Sequence, residues 1–211
     1  MNPRTRIEVV EGPGGGMEVA WDEPDGGTPH HGTVLIAHPH PLFGGTMDNK
    51  VVQTLARAAV QSGWRALRFN FRGVGRSAGV HDHGDAESAD MLALLKTVEA
   101  DGAWCVAGFS FGAFVAARVI DAQARDGLLP SRVVLIGTAV ARFVVPPLPE
   151  PVRERALVIH GEADDTVALA DLMAWARPQS LPVTVFPGGG HFFHGQLPLL
   201  RNLVARHLIE V

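Results

Sequence analysis

Six short, almost continuously apolar runs, at 33–37, 64–69, 104–107, 132–136, 156–159 and 183–186, alternate with segments whose apolar residues recur at helical spacing. The helical segments lie at 49–61, 87–99, 111–125, 169–176 and 198–207. A strand covered on both faces has no polar side to show, and a helix between two such strands carries the chain back across the sheet to a parallel neighbour. This alternation therefore predicts an α/β fold with a mostly parallel central sheet and helices on both faces. Two earlier runs, 7–10 and 17–21, are joined by the Gly-rich stretch 12–16 and read as an opening antiparallel pair. With 211 residues, 46% of them hydrophobic, the chain can bury one substantial core, so a single domain over 1–211 is expected. The Pro-rich stretch 146–151 reads as a loop too short to fold as a lid, so no cap domain is expected.

In such sheets the binding sites form just beyond the C-terminal ends of the strands. Beyond the run ending at Ala107 comes Gly108-Phe109-Ser110-Phe111-Gly112, followed at once by a helical segment of small residues. Strand, sharp turn with a serine, then helix is the context in which glycines relieve crowding and a serine is presented as a nucleophile. The bland alternative for Ser110 is a helix N-cap. After Ile159 comes His160-Gly161-Glu162-Ala163-Asp164-Asp165-Thr166-Val167, and after Phe186 comes Pro187-Gly188-Gly189-Gly190-His191-Phe192-Phe193-His194. A serine hydroxyl needs a base, and that base needs an acid to hold its tautomer. The order Ser, Asp, His at three strand ends supplies all three. Within the loops, Asp164 is favoured over Asp165 because Val167 can anchor a G-x-x-D-x-x-V turn, and His191 over His194 because three glycines precede it.

The loop His38-Pro39-His40-Pro41-Leu42-Phe43-Gly44-Gly45-Thr46-Met47-Asp48-Asn49-Lys50 follows the 33–37 strand, where a second oxyanion donor belongs. Pro39 and Pro41 lack an N–H, which leaves His40 or Leu42. Offset from the strand end favours the His40 amide, paired with that of Phe111. Leu42, Phe43 and Phe192 are the expected substrate contacts, although the apolar surface around Phe192 and Phe193 could equally form a dimer contact.

Composition narrows the chemistry. A net charge of −4 without a basic run disfavours nucleic acid and anionic membranes as partners. Cys105 is the only cysteine and there is no tyrosine, so disulfides, cysteine metal sites and phenol catalysis are not expected. No apolar run reaches membrane-spanning length and 1–16 is polar and Gly-rich, so a cytoplasmic location is expected. His38 and His40 could form a metal pair with His81, His83, His191 or His194, but no carboxylate or cysteine nearby completes a set. No metal or cofactor is expected. Gly73-Val74-Gly75-Arg76-Ser77-Ala78-Gly79 has the wrong spacing for a dinucleotide loop and reads as a turn. Arg68, Arg72 and Arg76 could hold an anionic substrate, with Arg72 better read as a structural clamp.

With these residues assembled, the chain resembles the α/β-hydrolase superfamily, and more narrowly its small lidless bacterial carboxylesterase and dienelactone-hydrolase-like members. The stretch 38–52, Arg68-Phe69-Asn70-Phe71-Arg72-Gly73-Val74-Gly75-Arg76-Ser77, the 108–112 turn and Gly190-His191-Phe192-Phe193-His194 carry the likeness. It implies a Ser110–His191–Asp164 triad and cofactor-free ester hydrolysis. It departs from the superfamily at His38-Pro39, where His-Gly is usual, and true dienelactone hydrolases use cysteine in place of Ser110. The expected activity is cleavage of small, soluble carboxylic esters. An acyl thioesterase on the same residues and a non-catalytic ligand-binding protein are the alternatives.

Overall fold

The computed structural model describes residues 5–24, 26, 31–99 and 102–209, so the N-terminal end of the polar 1–16 stretch lies outside the described residues. Its elements are β1 (Arg6–Gly12), β2 (Gly15–Asp22), β3 (Thr33–Ala37), α1 (Lys50–Gln61), β4 (Arg65–Phe69), α2 (Asp85–Glu99), β5 (Trp104–Phe109), α3 (Phe111–Arg125), β6 (Arg132–Ile136), α4 (Glu150–Arg153), β7 (Ala156–Gly161), α5 (Leu169–Ala176), β8 (Val183–Phe186) and α6 (Leu197–Ile209). They build one eight-stranded sheet in the order β1-β2-β4-β3-β5-β6-β7-β8. β1 and β2 pair antiparallel, as do β2 and β4; every other pairing is parallel. This is an α/β-hydrolase fold.

Successive side chains of a strand point to opposite faces, and the core divides accordingly. Leu35, Val106, Val133 and Leu135 pack with α2, α3 and α5, whereas Val34, Ile36, Ala107, Val134 and Ile136 pack with α1 and α6. Both faces are covered, which is why the parallel strands are apolar throughout. Cys105 belongs to the second layer; burial pushes its thiol up to about 12, so it behaves as a packing residue. α1 starts where Asn49 Oδ1 accepts the Val51 N–H at 2.9 Å, an N-cap that satisfies one of the free donors of the first turn.

Two boundaries differ from the sequence reading in ways that matter. β5 runs two residues further than expected because Phe109 is fully buried and pairs with Ile136, which carries the strand up to Ser110 itself. The Pro-rich stretch 146–151 is not wholly loop: α4 begins within it, Pro149 at its N-cap and Pro151 in its first turn, where a missing N–H costs no hydrogen bond. At four residues α4 cannot roof a site, and among the described residues no folded cap interrupts the sheet.

Helix α3 approaches β3 unusually closely at Gly112. A Cβ there would lie 2.3 Å from the Ala37 carbonyl oxygen and 2.6 Å from that of His38, both backbone atoms that cannot swing aside. Gly112→Ala is therefore expected to destabilise the fold by about 1–3 kcal/mol in urea unfolding. A change within about 0.5 kcal/mol would mean that the helix can retreat without cost.

Candidate active site

Ser110 sits between β5 and α3 with φ of 56° and ψ of −113°, a conformation that side chains rarely adopt. Such a residue costs about 1–3 kcal/mol and persists only when its surroundings hold it. Its N–H donates to the Ile136 carbonyl at 2.8 Å, and its own carbonyl accepts from Ala113 and Phe114 at 3.1 and 3.2 Å. The hydroxyl caps nothing, which removes the N-cap reading. Instead it donates to His191 Nε2 at 3.0 Å. His191 Nδ1–H donates to Asp164 Oδ2 at 2.7 Å, and Asp164 Oδ1 accepts the N–H groups of Thr166 and Val167 at 2.9 and 2.8 Å. Burial pushes the Asp164 carboxyl up, but the bonds from His191, Val167 and Thr166 outweigh it and hold the carboxyl below its ordinary value. The acid is held as an anion with both of its oxygens hydrogen-bonded.

The two disputed choices within loops separate cleanly. Asp165 is exposed and, among the described residues, its side chain bonds only its neighbour Thr166. His194 is exposed at the far side of Phe193, which is fully buried against Phe186. The His191 ring lies 5.0 Å from that of Phe109 and meets Phe192 edge-on at 5.2 Å. Room for it comes from Gly137 at the end of β6, with φ of 53°, where a Cβ would stand 3.2 Å from His191 Cε1.

Sequence reasoning missed His160, the last-but-one residue of β7. Fully buried, it donates from Nε2 to the Val167 carbonyl at 2.8 Å and lies 3.5 Å from Asp164 Oδ2. It fixes the turn whose amides hold Asp164. A buried histidine four residues before the acid was the available signal.

The loop after β3 folds back on itself. The N–H groups of Phe43 and Gly45 donate to the His40 carbonyl at 3.1 and 3.0 Å, Gly44 to Pro41 at 3.2 Å, and Leu42 to His40 Nδ1 at 3.2 Å. The Leu42 amide is thus spent. Among the described residues the N–H groups of His40 and Phe111 have no partner. Below this loop the 68–72 motif acts as a clamp. Arg68 Nη1 donates to the Met47 carbonyl at 2.9 Å and to Asp48 Oδ1 at 3.1 Å while its Nε bonds Asp22, and Asn70 Oδ1 accepts the Met47 N–H at 2.8 Å. Arg72 binds Asp90 and the Ala86 carbonyl, and Arg76 binds Glu18, so all three arginines are paired within the fold.

His38 is held neutral. Its Nδ1–H donates to the Pro39 carbonyl at 2.6 Å and its Nε2 accepts the Phe71 N–H at 2.9 Å, leaving neither nitrogen for a metal. Burial pulls its pKa down to about 3, with His40 pushing the same way against the Pro39 bond. An unfolded imidazole protonates near 6.5. Between about 6.5 and about 3 the unfolded chain binds the extra proton, so stability is lost as the pH falls, by up to about 1.4 kcal/mol per unit. Urea unfolding from about pH 7 to about pH 4 should show a steeper acid loss in the parent than in His38→Gln. Parallel slopes would contradict a neutral buried His38.

A cavity of about 350 Å³ opens beside Ser110 and His191, and Phe43, Phe111, Phe143 and Phe192 are among its walls. Phe43 and Phe192, two of the expected substrate contacts, line this cavity. Leu42, the third, is 67% exposed and lies outside the lining, because the Pro41–Phe43 turn has three residues per turn and sends adjacent side chains in different directions.

This fold and site define an α/β hydrolase. An α/β serine hydrolase homologue from Coxiella burnetii is 37% identical, with 96% of this chain and 97% of that one covered at a TM-score of 0.84. A lidless α/β serine hydrolase from Xanthomonas campestris is 32% identical over 99% of this chain and 95% of that one, at 0.85. The chain belongs to the α/β serine hydrolase family, in its lidless form. An uncharacterized Rickettsia prowazekii protein is 39% identical over 97 residues, 44% of this chain and 41% of that relative, so that match spans less than half of either. No protein-family model matches the chain. No described helix is long and apolar enough to cross a membrane.

Proposed function

We propose that the protein hydrolyses small carboxylic esters through a Ser110–His191–Asp164 triad and an acyl-enzyme. The observation that carries this reading is the unbroken hydrogen-bonded chain from Ser110 Oγ through both nitrogens of His191 to Asp164, at 3.0 and 2.7 Å. His191 Nε2 takes the hydroxyl proton as Oγ attacks the ester carbonyl, and the imidazolium so formed is stabilised by the Asp164 anion. The oxyanion receives the free N–H groups of Phe111 and His40. Collapse of the tetrahedral intermediate expels the alcohol, which takes the proton from His191. Water, deprotonated by the same imidazole, then releases the acid and restores Ser110.

The cavity's modest volume, with no folded cap over it among the described residues, favours short acyl groups. A thioesterase acting on a phosphorylated carrier would need free cations near the site, and the guanidinium groups of Arg68, Arg72 and Arg76 are bound to Asp22, Asp90 and Glu18. Intact mass after exposure to a fluorophosphonate tests the nucleophile, and rates on oxygen and sulfur esters of one acyl group test the substrate class. One adduct on Ser110 with faster oxygen-ester turnover supports the proposal. A folded protein that takes no adduct would return the ligand-binding alternative to the front.

A further inference from the structure

We propose that Arg142 anchors an anionic group on the substrate, so that the preferred ester carries a carboxylate on its acyl chain or on its alcohol. The inference deepens the serine-hydrolase reading of the same cavity and rests on it. Among the described residues Arg142 is the only Arg, Lys, Asp or Glu side chain lining that cavity. Arg68, Arg72 and Arg76 are each paired with carboxylates, whereas Arg142 has no carboxylate partner among the described residues. Its guanidinium lies 5.5 Å from the centroid of the Phe43 ring, which also lines the cavity. A cation–π contact orients the group and leaves its N–H donors free to meet an anion.

The backbone beneath Arg142 is tied to the site. Ala139 donates its N–H to the Ser110 carbonyl at 3.4 Å, and the Ala139 carbonyl accepts the N–H groups of Arg142 and Phe143, each at 3.2 Å. Phe143 stacks on Phe114 at 4.6 Å and packs edge-on against Phe111. The cation is therefore carried by a turn whose position follows that of the nucleophile. Electrostatics point the same way: the His40 imidazole is shifted toward its neutral form by burial first, then by His81 and Arg142. A cavity whose described lining has aromatic walls, one cation without a carboxylate partner and no carboxylate suits a short apolar body ending in an anion.

Three esters separate the possibilities: ethyl butyrate as the neutral reference, monoethyl glutarate with the anion on the acyl side, and the butyrate ester of glycolate with it on the alcohol. The quantity read is the ratio of kcat/KM for each anionic ester to that for ethyl butyrate, so a loss common to both cancels. Arg142→Gln is expected to lower one of these ratios about tenfold, and Arg142→Lys to lower it less. Added salt should shrink the parent's ratio, because the guanidinium is exposed to solvent. Whichever anionic ester responds identifies the side of the substrate that Arg142 holds. If neither ratio changes in Arg142→Gln while Ser110 still takes a fluorophosphonate, the anchor is overturned and the serine reading stands. No turnover of any ester and no adduct would overturn both.

Discussion

Ser110→Ala and His191→Ala should each reduce ester turnover by about 10⁶-fold, and the double variant should be no slower than either single one. The reason is geometric. Ser110 Oγ and His191 Nε2 share one proton across 3.0 Å, so removing either partner abolishes the same event. The residual rate would come from the free Phe111 and His40 amides and from the cavity, neither of which depends on Ser110's hydroxyl. The backbone at Ser110 is held by Ile136, Ala113 and Phe114, so the alanine variant keeps the turn and its loss reports chemistry. Multiplicative losses in kcat/KM, measured on one short-chain ester, would mean that the two residues act in separate steps. Retention of a fluorophosphonate adduct in Ser110→Ala would move the nucleophile elsewhere.

Much of this arrangement is legible in the sequence because it follows local rules. Strands buried on both faces announce themselves as apolar runs, and a serine between a strand and a helix is marked by Gly108 and Gly112 within two residues. The choice of His191 over His194 follows from three preceding glycines, and in the structure it is His191 that faces Ser110 while Phe193 anchors the loop. What escapes is long-range and specific. Arg68 and Asn70 reach Met47 and Asp48 some twenty residues back, and no periodicity records a side chain bonding a distant backbone group. α4 escaped because prolines read as loop, although a helix tolerates them in its first turn. Leu42 points away from the cavity because the direction of a side chain in a three-residue turn is set by geometry that composition does not carry. Arg142 was invisible for a different reason: a free cation is recognised only once the partners of the others are known.

Asp164→Asn should be the more informative of the two obvious replacements of the acid, with turnover reduced about 10⁴-fold and Asp164→Ala impaired no more than that. Asp164 Oδ1 accepts two backbone N–H groups, from Thr166 and Val167, and only a carbonyl oxygen can occupy that place. An asparagine must therefore put its oxygen there and turn its NH₂ toward His191 Nδ1. An imidazole facing a donor at Nδ1 carries its proton on Nε2, and in that tautomer it cannot accept the Ser110 hydroxyl proton. Alanine imposes no tautomer and leaves the ring a choice. The check is twofold: kcat for both variants on one ester, and the nitrogen chemical shifts of His191, which distinguish Nδ1–H from Nε2–H. A parent with its proton on Nδ1, an asparagine variant with its proton on Nε2 and the predicted order of rates would together tie activity to the Asp164 hydrogen bond at 2.7 Å. An asparagine variant faster than the alanine one would show that holding the 164–167 turn outweighs the tautomer, since asparagine keeps an acceptor for the Thr166 and Val167 N–H groups and alanine does not.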